Sequence, residues 1–155
     1  MIKVGIIGAN GFLGLELLRI LSIHPKVEIS KILKRENDIE DEFTHLSSLN
    51  LNEVQTSNIG DFKSLDCVFL SLPHGSASEY VKELIDKVKI IDLSSDYRIH
   101  DATSYEAYYK TSFDPDIQSK FTYGFIESSL DNIKKSSNIA NPGCFALASQ
   151  LAILP

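Results

Sequence analysis

The sequence contains little cysteine, with only Cys67 and Cys144 among its 155 residues. Two thiols are too few for a disulfide framework, and neither has another Cys or a His at the spacing of a metal site. We therefore expect no metal. No apolar run is long enough to cross a bilayer, so we also expect no membrane partner. Each cysteine has to be explained on its own.

Positive charge is also scarce, because 15 Lys and Arg face 21 Asp and Glu, giving a formal net charge of −6. Binding to nucleic acid requires clustered cations that displace counterions from phosphates, so we expect no nucleic-acid partner. The apolar start of the chain does not have the form of a signal peptide, because Gly5 and Gly8 interrupt it and a helical pattern follows. We expect a cytoplasmic protein.

Short β-branched runs alternate with helical patterns along the rest of the chain. The strands are predicted at 2–8, 27–33, 66–73, 88–95 and 137–141. Such alternation is typical of an α/β fold with a doubly wound, mostly parallel sheet. Residues 34–50 are predicted to form a long loop, and residues 99–128 loops with short helical turns. We expect a single NAD(P)-binding domain over residues 1–155.

Glycines punctuate the first strand and the first helix in the stretch "GIIGANGFLG", with a G-x-x-G-x-x-G spacing at Gly8, Gly11 and Gly14. Glycines there permit a tight turn and let backbone N–H groups approach a pyrophosphate at the helix N-terminus. We predict a dinucleotide site, with a purely structural turn as the alternative. Lys34 and Arg35 follow the second strand, where an NAD enzyme usually has a carboxylate, so they favour NADP unless they are only a solvated basic pair.

Cys144 follows Pro142 and Gly143 and begins an apolar helical pattern. The positive end of a helix dipole stabilises a thiolate, so Cys144 is a candidate nucleophile, although a small buried residue is an equal alternative on local grounds. Cys67 lies within a buried strand pattern and is predicted to be a core residue. A thiolate beside a nicotinamide favours thioester chemistry, and Arg98 is a candidate anion site, with an unpartnered surface arginine as its alternative.

Five motifs occur in a family order: "GIIGANGFLG", "FLSLPHG", "IDLSSDYR", "YGFIE" and "NPGCF". In these the chain resembles the N-acetyl-γ-glutamyl-phosphate reductases of arginine biosynthesis, relatives of aspartate-semialdehyde dehydrogenase. The resemblance implies that Cys144 is the catalytic nucleophile and that Arg98 and Asn141 contact the acyl-phosphate substrate. The residues that it implies for NADP are Gly8, Ala9, Asn10, Gly11, Phe12, Leu13, Gly14, Lys34, Arg35, Leu72, Pro73, His74 and Gly75, with His74 acting through its backbone.

The chain departs from the family pattern in sequence and in length. Phe145, Ile126 and Tyr97 replace the usual Tyr, Pro and Phe of three motifs. Family members are much longer, with a substrate and dimerisation domain that supplies a histidine acid/base. The resemblance therefore implies an N-terminal part that is inactive alone, from a protein that forms a dimer or tetramer. The alternatives are an aspartate-semialdehyde or aminoadipyl-phosphate type of reductase, and a non-catalytic nucleotide-binding domain.

Overall fold

A computed structural model describes residues 1–34, 54–56, 58–110 and 113–154. The strands in these ranges are β1 (Ile2–Ile7), β2 (Val27–Leu33), β3 (Cys67–Leu70), β4 (Lys89–Asp92), β5 (Phe121–Tyr123) and β6 (Asn138–Ala140). The α-helices are α1 (Phe12–Ser22), α2 (Ala77–Leu84), α3 (Ala102–Tyr109), α4 (Pro115–Gln118), α5 (Ile126–Lys135) and α6 (Cys144–Ile153), with a 3-10 helix at Ile59–Ser64. None of the helices in the described ranges has the length and apolar character needed to cross a membrane.

The six strands form one sheet in the order β2-β1-β3-β4-β6-β5, and every pairing is parallel. The chain leaves β1 toward β2 and then returns to the other side of β1 to form β3. The strand order therefore reverses between β1 and β3, the point where such sheets bind ligands outside the carboxyl ends of the strands. The predicted doubly wound α/β fold is confirmed.

Helix α1 covers one face of the sheet. Its buried residues Gly14, Leu18 and Leu21 recur at four-residue and three-residue steps, so they share one side of the helix. Leu18 and Leu21 pack in a cluster with Ile6 of β1 and Ile32 of β2. This cluster fixes the distance between α1 and the first two strands, and so the position of the turn that joins β1 to α1.

Helix α2 covers the opposite face through Ala77, Val81 and Leu84, which belong to the larger apolar cluster. Its N-cap is Ser76, although the Ser76 side chain makes no capping hydrogen bond. Two helices on opposite faces of a parallel sheet are what successive right-handed crossovers in opposite directions produce. The loop that leads into α2 therefore lies at the same sheet edge as the turn that leads into α1.

Strand β3 lies between these two faces. Val68 and Leu70 pack in the cluster of α2, whereas Cys67 and Phe69 pack against the cluster of α1. The alternation follows from the two-residue period of a strand. Burial raises the pKa of the Cys67 thiol to about 11. A thiol of that kind is protonated at neutral pH, which agrees with the predicted core role of Cys67.

The segment at 99–128 is more regular than the sequence predicts. It contains the eight-residue helix α3, capped by the Asp101 carboxylate, which accepts from the Ser104 N–H at 2.7 Å. It also contains the edge strand β5, which the sequence analysis does not predict. A three-residue strand is too short to show a period, so its pairing with β6 decides its conformation. The predicted loop at 34–50 lies outside the described residues except for Lys34.

Helix α6, like α5 and unlike α1 and α2, buries no side against the sheet. None of its residues is buried, and Phe145 and Ile153 are 87% and 80% exposed. Among the described contacts, the Gln150 side-chain amide donates to the Tyr123 hydroxyl at 3.1 Å and ties the helix to β5. The apolar pattern of this helix therefore faces solvent in the described chain rather than a core.

Candidate functional site

Four turns meet at one edge of the sheet, because all the strands are parallel and their carboxyl ends point the same way. They follow β1, β3, β4 and β6, and, together with the first turns of α1 and α6, they contain all the predicted site residues except Lys34 and Arg35. The structure thus brings the glycine-rich turn, the LPHG segment, Arg98 and Cys144 to a common edge.

The glycine-rich turn is a place where two backbones touch. Gly8 has φ +81°, and a Cβ added there would lie 2.2 Å from the Ser71 carbonyl oxygen. A Cβ on Gly14 would lie 2.3 Å from the Gly8 carbonyl oxygen. Real carbon atoms never come so close to a backbone oxygen, so both positions require glycine. The close packing of α1 on the first turn depends on it.

The same turn presents the open N-terminus of α1. The Gly8 and Ala9 N–H groups donate to the Leu33 carbonyl at 2.9 and 3.2 Å, and this uses them within the fold. Gly11 is the N-cap, and no side chain in the described part of the chain caps the helix. The first-turn N–H groups of Phe12 and Leu13 have no carbonyl within the helix to reach. The turn therefore fits a pyrophosphate, which would accept from such groups and interact with the positive end of the helix dipole.

An open cleft of about 1280 Å³ lies beside this turn, between the end of β2 and the loop from β3 to α2. The described residues that line it are Ile32, Leu33, Lys34, Gln55, Thr56, Ile59, Leu72, Pro73, Gly75, Ser76, Glu79 and Tyr80. Four of the predicted cofactor residues are among them, namely Lys34, Leu72, Pro73 and Gly75. Arg35 lies outside the described residues. Among the described residues that line the cleft, neither Cys144 nor Arg98 occurs.

Asp96 holds the loop that borders this cleft. Its buried carboxylate accepts from the Gly75 N–H at 2.8 Å and from the Ala77 N–H at 3.1 Å. The His74 Nδ1 lies 2.7 Å from the same carboxylate and 2.9 Å from the Ser95 hydroxyl. The negative charge of Asp96 is therefore placed at the N-terminus of α2, where the helix dipole stabilises it.

The His74 ring points away from the cleft. It stacks on the Tyr109 ring with centroids 4.3 Å apart, and the described residues that line the cleft include its neighbours Pro73 and Gly75 but not His74. The ring thus contacts Asp96 and Tyr109 rather than the cleft. This arrangement is compatible with the predicted backbone role of His74.

Cys144 is the first residue of α6 and is exposed. Its N-cap is Gly143, whose carbonyl accepts from the Leu147 N–H at 2.8 Å, and no side chain of the described residues caps this helix. The Asn141 side-chain amide donates to the Pro142 carbonyl at 3.1 Å and closes the turn. The sulfur therefore stands at an uncapped helix N-terminus and is accessible, as a nucleophile requires.

Arg98 is not the unpartnered surface arginine that the sequence left open. Its Nε donates to the Asn141 carbonyl at 2.7 Å, and its Nη2 donates to the Leu93 carbonyl at 2.8 Å. The structure thus brings Arg98 to the turn that carries Cys144. Two of the five N–H groups of its guanidinium are used in these bonds.

Asp92 is a fully buried carboxylate at the end of β4. It accepts from the backbone N–H of Ser94 at 3.0 Å and from the Ser94 hydroxyl at 2.7 Å. Burial raises the pKa of the Asp92 carboxyl to about 6, with a further rise from the charge of Asp96, while the Ser94 hydrogen bonds and the Arg98 charge oppose the shift. A buried titratable group therefore lies directly before the loop that carries Arg98.

The sequence analysis assigned no role to Asp96, Asp92, Gln55 or Thr56. The two aspartates lie in the motif "DLSSDYR", and acidic residues among serines directly after a buried strand are a signal that could have drawn attention to them. Gln55 and Thr56 have no such signal, because they follow a long segment without periodicity. Their place at the cleft depends on the pairing of this segment with the end of β2.

Comparison with known proteins agrees with this geometry. Residues 3–136 match the family described as "Semialdehyde dehydrogenase, NAD binding domain". The chain belongs to this family. The family's description supports a nicotinamide dinucleotide as the cofactor.

The relatives of this chain include proteins that are named as phosphate reductases. An N-acetyl-gamma-glutamyl-phosphate reductase of Halothermothrix orenii is 41% identical over 100% of the chain, and a protein of Pyrococcus furiosus that carries the name of a LysW-aminoadipate and LysW-glutamate phosphate reductase is 38% identical. The chain spans 46% of the length of each. Among solved structures, the aspartate semialdehyde dehydrogenase of Candida albicans with NADP has a TM-score of 0.61 at 18% identity, over 94% of this chain and 43% of that one. It supports the fold alone.

Proposed function

We propose that this domain is the cofactor-binding and nucleophile-bearing part of an NADP-dependent reductase that converts N-acetyl-γ-glutamyl phosphate to its semialdehyde. The observation that carries the proposal is the exposed Cys144 at an uncapped helix N-terminus, on the sheet edge that also holds the glycine-rich turn. Strands β1 and β6 are three positions apart in the sheet, or roughly 15 Å. An extended dinucleotide can bridge that distance.

The chemistry begins at Cys144. The thiolate attacks the acyl carbon, a C–S bond forms, the bond from that carbon to the phosphate oxygen breaks, and phosphate leaves. A nicotinamide held at this sheet edge would supply the hydride for reduction of the thioester on Cys144. Cleavage of the C–S bond then releases the aldehyde and restores the thiolate. Arg98 and Asn141 remain proposed substrate-side residues, because Asn141 belongs to the turn of Cys144 and Arg98 donates a hydrogen bond to the Asn141 carbonyl.

Lys34 supports NADP rather than NAD as the cofactor. It lines the cleft at the end of β2, where the adenosine ribose binds in folds of this kind. A cation there attracts a 2′-phosphate, whereas the carboxylate of an NAD enzyme would repel it. Titration of the protein with each dinucleotide tests this assignment, and equal affinity for the two would contradict it.

The proposal extends to the parts of the reaction that this domain does not supply. We place the acid/base group and the pocket for the substrate's side chain in the half of the relatives' length that the chain does not span, together with the contacts that make a dimer or tetramer. On this view residues 1–155 form one NAD(P)-binding domain of a cytoplasmic enzyme. The two relatives at 41% and 38% identity carry different acyl groups in their names, so an aminoadipyl substrate is the second candidate.

Substitution of the two cysteines tests the function. In the full-length protein, Cys144→Ser is expected to reduce acyl-phosphate reduction by a factor of about 10⁴ or more while NADP binding persists, because the oxygen nucleophile is far weaker at neutral pH. Cys67→Ala is the matched control, since its thiol packs in the core, and it is expected to keep near-normal activity. Substantial reductase activity in Cys144→Ser would refute the nucleophile assignment.

A further inference from the structure

We propose that Arg98 is a positioning residue, which holds the Cys144 turn in place through a fixed two-point contact. This inference rests on the proposed function in one respect, namely that Cys144 is the nucleophile. The acyl-phosphate role implied for Arg98 concerns the substrate, whereas the present role concerns the protein's own backbone.

The contact lies where the β-sheet pairing stops. Strands β4 and β6 pair side by side, and the last backbone hydrogen bond between them runs from the Asn141 N–H to the Asp92 carbonyl at 2.8 Å. Immediately beyond it, the Arg98 guanidinium joins the Leu93 carbonyl to the Asn141 carbonyl. The arginine therefore continues, with a side chain, the cross-connection that the strands make with their backbones.

The Arg98 side of this contact is itself fixed. The buried Gln118 amide donates to the Ile99 carbonyl at 2.7 Å and to the Asp96 carbonyl at 3.3 Å. Tyr97 stacks on Phe121 with ring centroids 4.2 Å apart. Because these contacts hold the backbone of the loop, the Arg98 side chain can fix the Cys144 turn relative to the rest of the fold.

Gly143 gives independent support. Its φ of −70° and ψ of 149° suit any residue, so the backbone conformation does not require glycine. A Cβ at this position would lie 2.8 Å from Nη1 and 3.5 Å from Cζ of Arg98, and apart from the adjoining residues it would meet no other heavy atom of the described chain within 4 Å. The guanidinium occupies the space that a side chain at residue 143 would need. The Arg98 guanidinium therefore fits against the glycine that directly precedes Cys144.

Arg98→Lys in the full-length protein separates the two roles. Lysine keeps the positive charge that attracts a phosphate, but it lacks the planar fork that reaches two carbonyls in fixed directions. We expect kcat and the rate of Cys144 alkylation by neutral iodoacetamide each to fall about tenfold, with KM for the acyl phosphate changing less than about twofold. Arg19→Lys is the matched control, because Arg19 pairs with Glu16 on the exposed side of α1, and it should change none of these values.

Gly143→Ala tests the same contact with Arg98 intact. The new methyl group displaces the guanidinium, so the variant should lower the alkylation rate as Arg98→Lys does. The double variant should be no slower than the slower single variant, since residues in direct contact do not act additively. This arm remains informative if Arg98→Lys does not fold.

Three outcomes would overturn the inference. They are a rise in KM with unchanged alkylation, a lower melting temperature with unchanged kcat and alkylation, and additive losses in the double variant. The alkylation rate is read without turnover. A failure of the proposed function, seen as activity in Cys144→Ser, is therefore distinguishable from a failure of the Arg98 contact.

Discussion

The turn after β1 and the turn after β6 both lead from a parallel strand into a helix with an uncapped N-terminus, but different forces hold them. In the first, Gly8 and Gly14 allow backbone atoms to touch, and α1 is anchored by the buried Leu18 and Leu21. In the second, the Arg98 side chain supplies the cross-connection, and α6 has no buried residue. The first turn is part of the core, and the second is attached to it by polar contacts.

The difference has a physical consequence for function. Packing fixes the turn after β1 during folding, so the pyrophosphate site that we propose there would need little further ordering when a ligand binds. Hydrogen bonds and charges fix the Cys144 turn, and these contacts respond to pH and to single polar substitutions more than packing does. We therefore expect added bulk to be most costly at the turn after β1, and polar substitutions or changes of pH to act mainly on the Cys144 turn.

Gly14→Ala is expected to have the largest effect. The added Cβ would meet the Gly8 carbonyl oxygen at 2.3 Å and two Ala9 backbone atoms at 2.7 Å. Because backbone cannot rotate away as a side chain does, the cost should exceed the roughly 3 kcal/mol of ordinary overpacking. Urea unfolding measures the stability, and dinucleotide titration should show that binding is lost.

Gly143→Ala is the comparison variant for stability, because among the described residues beyond its chain neighbours its Cβ meets only the flexible end of Arg98. It should lower the free energy of unfolding by less than about 1.5 kcal/mol, the net value of about one hydrogen bond. Equal losses in the two variants would remove the distinction between a turn held by packing and a turn held by a side chain.

Asp92→Asn is expected to have the next largest effect, and it should depend on pH. The pKa of Asp92 is about 6 in the fold, above the ordinary value of 3.8, so the folded protein binds this proton more tightly than the unfolded chain does. The stabilisation is present in full below about pH 4 and is lost as pH rises through 6. Relative to wild type, Asp92→Asn should therefore gain roughly 2 to 3 kcal/mol between pH 4 and pH 7.5 in urea unfolding.

Asp101→Asn is the control of opposite sign. Hydrogen bonds from Ser104 lower the pKa of this exposed carboxyl, so its contribution is present above the ordinary value and is lost as pH falls. Asp101→Asn should therefore lose stability relative to wild type as pH rises. If the difference in unfolding free energy between Asp92→Asn and wild type did not change from pH 4 to pH 7.5, the titration that we assign to Asp92 would be wrong.

The two turns also differ in how far the sequence predicts them. The doubly wound sheet and the glycine-rich turn follow from strand and glycine patterns, because burial and close backbone approach restrict residue type at each position. The edge strand β5 and the roles of Asp96 and Arg98 were not predictable in this way. Every residue has a backbone carbonyl, so a hydrogen bond from an arginine side chain to the carbonyl of Leu93 or Asn141 leaves no pattern in the sequence. The position of Gly143, with its ordinary φ, becomes interpretable only beside Arg98.

Gly75→Ala should have the smallest effect and isolates backbone strain from crowding. Gly75 shares the φ of +81° with Gly8, but a Cβ there would meet no atom of the described residues within 4 Å beyond its chain neighbours. Its cost is therefore that of a left-handed conformation alone, about 1 kcal/mol in urea unfolding. Gly8→Ala would add to this the contact at 2.2 Å with the Ser71 carbonyl, so the difference between the two variants measures crowding at the cofactor turn. If Gly75→Ala were as costly as Gly8→Ala, strain rather than backbone contact would explain the glycines of both loops, and close packing would no longer distinguish the first turn from the second.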